Sequence, residues 1–155
     1  MSAVLHVLAP LDFCAVLLAA ATVDVTRYRI PNVLPALLAA GALLAAPHTG
    51  SEWLSRAASF AVVAASVLIL YLARGLGGGD VKLLAAASLW MPFGTLPVFV
   101  LALAAAGGVQ AAVTLVARKL RSQPLGLRAA GRMPYGLSIA AAGLVWAWFR
   151  WGTGA

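Results

Sequence analysis

One cysteine, Cys14, and four acids, Asp12, Asp24, Glu52 and Asp80, are all that 155 residues supply of those types. A lone cysteine inside an apolar run excludes an internal disulfide and a four-cysteine zinc site. The two histidines, His6 and His48, stand apart in the sequence, so no metal site is expected. Charged residues make up 10% of the chain, where soluble domains carry about 25%. An ordinary water-soluble globule is thereby excluded, because a chain that is 63% hydrophobic has more apolar surface than one core could hide. The Ala-, Leu- and Val-rich runs also lack period-2 alternation, which excludes a transmembrane barrel. Backbone groups in hydrocarbon must then bond within helices. The expected fold is all-α: a polytopic helical membrane protein forming a single membrane-embedded domain over residues 1–155.

What is present is a series of apolar runs at 4–23, 30–46, 57–73, 81–92, 95–117 and 134–151. A spanning helix needs roughly 17–25 residues, so about six transmembrane helices are expected, the fourth short or half-buried. The first ten residues, MSAVLHVLAP, lack a basic n-region, and the first span is expected to be retained. With the N-terminus outside, the inner segments 24–29, 74–82 and 118–133 hold Arg27, Arg29, Arg74, Lys82, Arg118, Lys119, Arg121, Arg128 and Arg132. Only Arg56 and Arg150 of the 11 basic residues fall elsewhere, a strong positive-inside asymmetry that puts both termini outside. The net charge of +7 is thus explained by topology and by anionic lipid at the basic loops, and no nucleic-acid partner is expected. Trp53, Trp90, Trp146, Trp148 and Trp151 are expected toward the outer half, where amphipathic rings favour the interface.

Ionisable groups at membrane depth are costly and mark function by default. Asp24 ends the first span and Asp80 begins the fourth, so carboxylates 56 positions apart share one depth. Asp80 follows Gly77-Gly78-Gly79 and could be an ordinary N-cap. Three glycines exceed what capping needs, and they leave room for a substrate backbone. Asp24 lies near a helix C-terminus, where the macrodipole disfavours negative charge. Asp12 is about 18 Å from Asp24 along a helix and is read as a structural acid. Glu52 is assigned to a solvated outer loop. Two carboxyls held close together keep one proton between them and can activate water for peptide hydrolysis. The helix-end positions predict that Asp80 ionises and Asp24 keeps the proton.

Asp24-Val25-Thr26-Arg27-Tyr28-Arg29-Ile30-Pro31-Asn32 resembles the first aspartate motif of the prepilin peptidases, or type IV leader peptidases. Gly77-Gly78-Gly79-Asp80-Val81-Lys82-Leu83 resembles their second motif, Gly-x-Gly-Asp followed by Val-Lys, and Met133-Pro134-Tyr135-Gly136-Leu137-Ser138-Ile139 resembles their Pro-Tyr-Gly stretch. The resemblance spans about residues 10–145. It implies a bacterial inner-membrane aspartic endopeptidase, with Asp24 and Asp80 catalytic, that removes the leader of prepilin or pseudopilin substrates at the cytoplasmic face, after a glycine. Gly77, Gly78, Gly79, Lys82, Arg27, Arg29, Pro134, Tyr135 and Gly136 are candidates for positioning the substrate or the loops. The paired Cys-x-x-Cys motifs of the long bacterial form are missing, so N-methylation is not expected. The chain looks like the short peptidase of tight-adherence (Flp) pilus systems. No cofactor is implied.

Arg27 and Arg29 either steer a substrate or set topology, and Lys82 binds either a lipid phosphate or an acidic group of the substrate. Pro31 with Asn32 reads as a helix start. A small transporter is the rival reading, since intramembrane acids and glycine-broken helices also mark ion pathways. It calls for an inverted repeat and for acids near the midplane. The acid pair lies at one edge instead, and no repeat is visible. A non-catalytic subunit of a pilus or secretion complex is a third reading.

Overall fold

The computed structural model describes residues 2–45, 50–120 and 135–152, without the side chains of 2–7 and Arg118. Its six α-helices correspond one for one to the six expected runs: α1 (Ser2–Arg27), α2 (Val33–Leu44), α3 (Gly50–Leu72), α4 (Gly78–Ser88), α5 (Leu96–Leu120) and α6 (Tyr135–Ala147). A 3₁₀ turn, Phe93–Thr95, leads into α5, and a π-type turn, Trp148–Gly152, closes α6. No strand occurs among the described residues. Three segments are long and apolar enough to cross a bilayer, Leu8–Arg27, Gly50–Leu72 and Phe93–Ala117. At 1.5 Å per residue the 11 residues of α4 reach about 16 Å, roughly half a hydrocarbon core. This is the short fourth segment expected from the sequence.

The helix ends have local causes. Tyr28, at φ 51°, stops α1 in the left-handed region, its N–H bonding the Asp24 carbonyl at 2.8 Å. Arg74, at φ 60°, does the same for α3, and the Gly75 N–H reaches back to the Leu70 carbonyl at 2.8 Å. These are αL closures of the kind that satisfy a helix's last carbonyls. The third helix starts seven residues before the expected 57. Glu52 therefore lies in its first turn, where negative charge suits the macrodipole, and not in a loop. Asn32 precedes α2 but makes no side-chain cap.

The first helix packs on α2 and α6; α4 packs on α2, α3 and α6; α5 lies against α6. Phe13, Leu17, Leu38, Leu83, Met91, Phe99 and Ile139 fill the centre. Trp90 and Trp146 are core residues too, 3% and 1% exposed, which corrects the interfacial role expected of them. Their rings pack around Phe13, each with its centroid 5.3 Å from that of Phe13. Both indole N–H groups are satisfied inside the protein, Trp90 by the Leu38 carbonyl at 2.8 Å and Trp146 by the Thr95 hydroxyl at 3.0 Å. A buried indole with a partner for its N–H has no need of the membrane interface. The exposed surface is largely apolar, with Leu54, Ile69, Leu101, Val109 and Val113 exposed beside Trp148 and Phe149. So much apolar exposure on a chain this size needs a bilayer around it.

Candidate active site

Asp24 and Asp80 sit on helices with two neighbours in common, α2 and α6. Both are buried, 6% and 9% exposed. Each carboxylate is met by a glycine N–H at the start of a helix. The Gly136 N–H, at the head of α6, donates to Asp24 Oδ2 at 2.7 Å across 112 positions of sequence. The Gly77 N–H, just ahead of α4, donates to the Asp80 carboxylate. The first turn of a helix leaves N–H groups unpaired and carries partial positive charge, so both donors suit an anion.

Gly136 permits a close approach. A Cβ there would lie 2.9 Å from Asp24 Cβ and 2.9 Å from Asp24 Oδ2. Gly79 is pressed against the α1–α2 connection: a Cβ on it would come within 3.0 Å of Ile30 Cβ and 3.4 Å of the Ile30 carbonyl. The glycines before Asp80 therefore have internal work as well. Gly77 supplies a donor, and Gly79 lets the 28–32 connection lie across the start of α4. Gly78 has more freedom, since a Cβ on it would meet only Tyr71, at 3.7 Å.

Asp80 lies ahead of the apolar run 81–92 and outside the three spanning segments. Burial first, and the nearby Asp24 charge second, push its carboxyl up to about 6, against the lowering effect of the Gly77 N–H. Burial and the like charge thus work against the helix-end argument, by which Asp80 was to ionise. A helix N-terminus does favour the anion, but loss of water and a like charge outweigh it here.

The other residues singled out by sequence divide into two groups. Arg27 and Arg29 line a cavity of about 330 Å³ with Val23, Ile30, Pro31 and Asn32. The Lys82 ammonium donates to Asn32 Oδ1 at 2.8 Å, tying α4 to the connection that follows Asp24. Asn32, which reads as a helix start, thus spends its side chain on a clamp. Tyr135 faces an apolar groove on the α6 side. Pro134 lies outside the described residues. Sequence reasoning passed over Gln110 and Ser138, which hydrogen-bond to each other between α5 and α6. The signal was there: an uncharged polar residue in an otherwise apolar span is commonly helix–helix glue. Among the described residues no cluster of His, Cys, Asp or Glu could hold a metal ion.

Asp12 behaves differently. It packs against Gly41 and near Trp90, and its buried Oδ2 has no partner. On α3, Arg56 is buried with Nε and Nη1 unpartnered. Neither residue joins the Asp24–Asp80 pair.

A helical membrane protein with two converging buried aspartates belongs to the class of membrane peptidases if its family does. The chain matches the type IV leader peptidase family over residues 11–112, a stretch that includes both aspartates, and it belongs to that family. No curated protein and no solved structure matches it.

Proposed function

We propose that the protein is an aspartic endopeptidase of a bacterial inner membrane that removes the leader of prepilin or pseudopilin substrates at the cytoplasmic face. The observation that carries this reading is the convergence of Asp24 and Asp80, in a leader peptidase family member, each on a glycine N–H. In this reading Asp24 works ionised and Asp80 protonated. Asp24 takes a proton from water as the water oxygen bonds to the scissile carbonyl carbon. Asp80 gives its proton to the carbonyl oxygen, which yields a neutral tetrahedral diol. Asp24 then protonates the leaving nitrogen, Asp80 takes back a hydroxyl proton, and the C–N bond breaks. Both carboxyls finish as they began. No metal or cofactor takes part in this scheme, and N-methylation is not part of the proposed activity. The multi-pass arrangement has both termini outside and the aspartates at the inner edge, beside the basic connections and anionic lipid. The proposed setting is a tight-adherence pilus system.

Co-expression with a candidate prepilin, followed by leader removal on a gel, tests this. Wild type should process the precursor, while Asp24→Asn and Asp80→Asn should each lose on the order of 10²–10⁴-fold in rate or more. Unchanged processing in either variant would sink the dyad.

A further inference from the structure

Beside the aspartate pair the bundle opens a groove of about 290 Å³, lined by Leu76, Leu84, Leu103, Gly107, Tyr135 and Ile139 among others, with no charged residue in its walls. Part of the lining comes from the two helix starts that hold the carboxylates, and the rest from α3 (Val67, Leu70), Gly75 and α5. Leu76 precedes Gly77, the donor to Asp80, and Leu84 lies one turn beyond Asp80. Tyr135 precedes Gly136, the donor to Asp24, and Ile139 lies about one turn beyond it. The groove is thus walled in part by residues next to, or one turn from, the groups that hold the two carboxylates. The volume is roughly twice the ~150 Å³ that accepts a benzene ring in an apolar cavity, enough for one or two large side chains. The second cavity near the pair, walled by Arg27, Arg29 and Asn32, offers no comparable apolar surface.

We propose that this groove is a specificity site that holds the apolar side chain of the substrate next to the scissile bond and selects it by size. The proposal rests on the peptidase reading and deepens it. Pockets with few polar groups discriminate by volume, and a change of one methylene is worth on the order of 10- to 200-fold.

Adjacent glycines of α5 supply the test. Gly107 lines the groove and Gly108 does not, and a Cβ at either meets nothing within 4 Å. Neither substitution forces a clash at Cβ, and leucine is the better helix former, so both variants should fold. Two precursors are needed, each with a basic leader, a glycine and an apolar helix, one with Phe and the other with Ala directly after the glycine. Leader removal is followed for both, with thermal unfolding of each enzyme variant measured in detergent. Gly107→Leu is expected to slow cleavage of the Phe precursor by about 10-fold or more and to spare the Ala precursor, while Gly108→Leu treats both as wild type does. Equal handling of both precursors by Gly107→Leu and wild type would overturn the groove and leave the peptidase reading standing. So would identical losses in the two glycine variants, the result expected if the groove only holds a lipid tail. Cleavage of neither precursor by wild type would overturn the peptidase reading and the groove with it.

Discussion

Asp24 and Asp80 are held in the same way by different means. Each accepts an N–H from a glycine at a helix start, but Gly77 lies three residues from Asp80 while Gly136 lies 112 residues from Asp24. One cradle is a local turn that forms as soon as α4 does. The other exists only once α6 has docked on α1. The local cradle can adjust, since Gly77 has extended backbone angles (φ −75°, ψ 147°) that any residue adopts. The remote one is fixed between two packed helices. A buried carboxylate needs its donors, and how rigidly they are held decides how much disturbance the site tolerates.

The comparison is broken most completely by deleting either carboxylate, and the two losses should be alike despite the different cradles. Gly136→Ala should come next, because the new methyl displaces Asp24 itself. A misplacement of that kind costs on the order of 10–100-fold in kcat/KM, with little change in thermal stability beyond a few degrees. Gly77→Ala should cost only several-fold. Its Cβ would lie 2.9 Å from Asp80 Oδ2, the far end of a side chain that can rotate away. Equal losses at the two glycines would show that the cradles do not differ in rigidity. If the protonated Asp80 is the acid, cleavage should fall as pH rises through about 6, because the proton is lost above that value. A rate that climbs through that point would reverse the roles. The smallest effect belongs to Asp12→Asn, expected to leave leader removal within about twofold, since Asp12 faces Gly41 and Trp90 and not the pair.

Much of this was legible in the residues. Six apolar runs became six helices, the shortness of the fourth was plain from Met91-Pro92-Phe93-Gly94, and the motif aspartates stood out as rare charges in an apolar chain. The run that precedes Asp80 was read as room for a substrate, and the donor role of Gly77 emerged only from the structure. What sequence could not supply were contacts set by docking. The Gly136 bond to Asp24, the press of Ile30 on Gly79 and the Lys82–Asn32 clamp each join elements far apart in the chain. The tryptophans misled for a related reason. An indole favours a membrane interface only while its N–H lacks an internal partner, and the partners of Trp90 and Trp146 lie more than 50 positions away. The helix-end argument weighed the macrodipole without burial, which is the larger effect on Asp80.

The central claim is that Asp24 and Asp80 act on each other as a pair, and titration of Asp80 measures it most directly. With isotope-labelled aspartate and infrared detection of the carboxyl band, wild-type Asp80 should titrate at about 6. In Asp24→Asn the like charge is gone, so Asp80 should ionise at lower pH, yet remain above its ordinary 3.8 because burial persists. An Asp80 titration that does not move when Asp24 is neutralised would contradict the pairing.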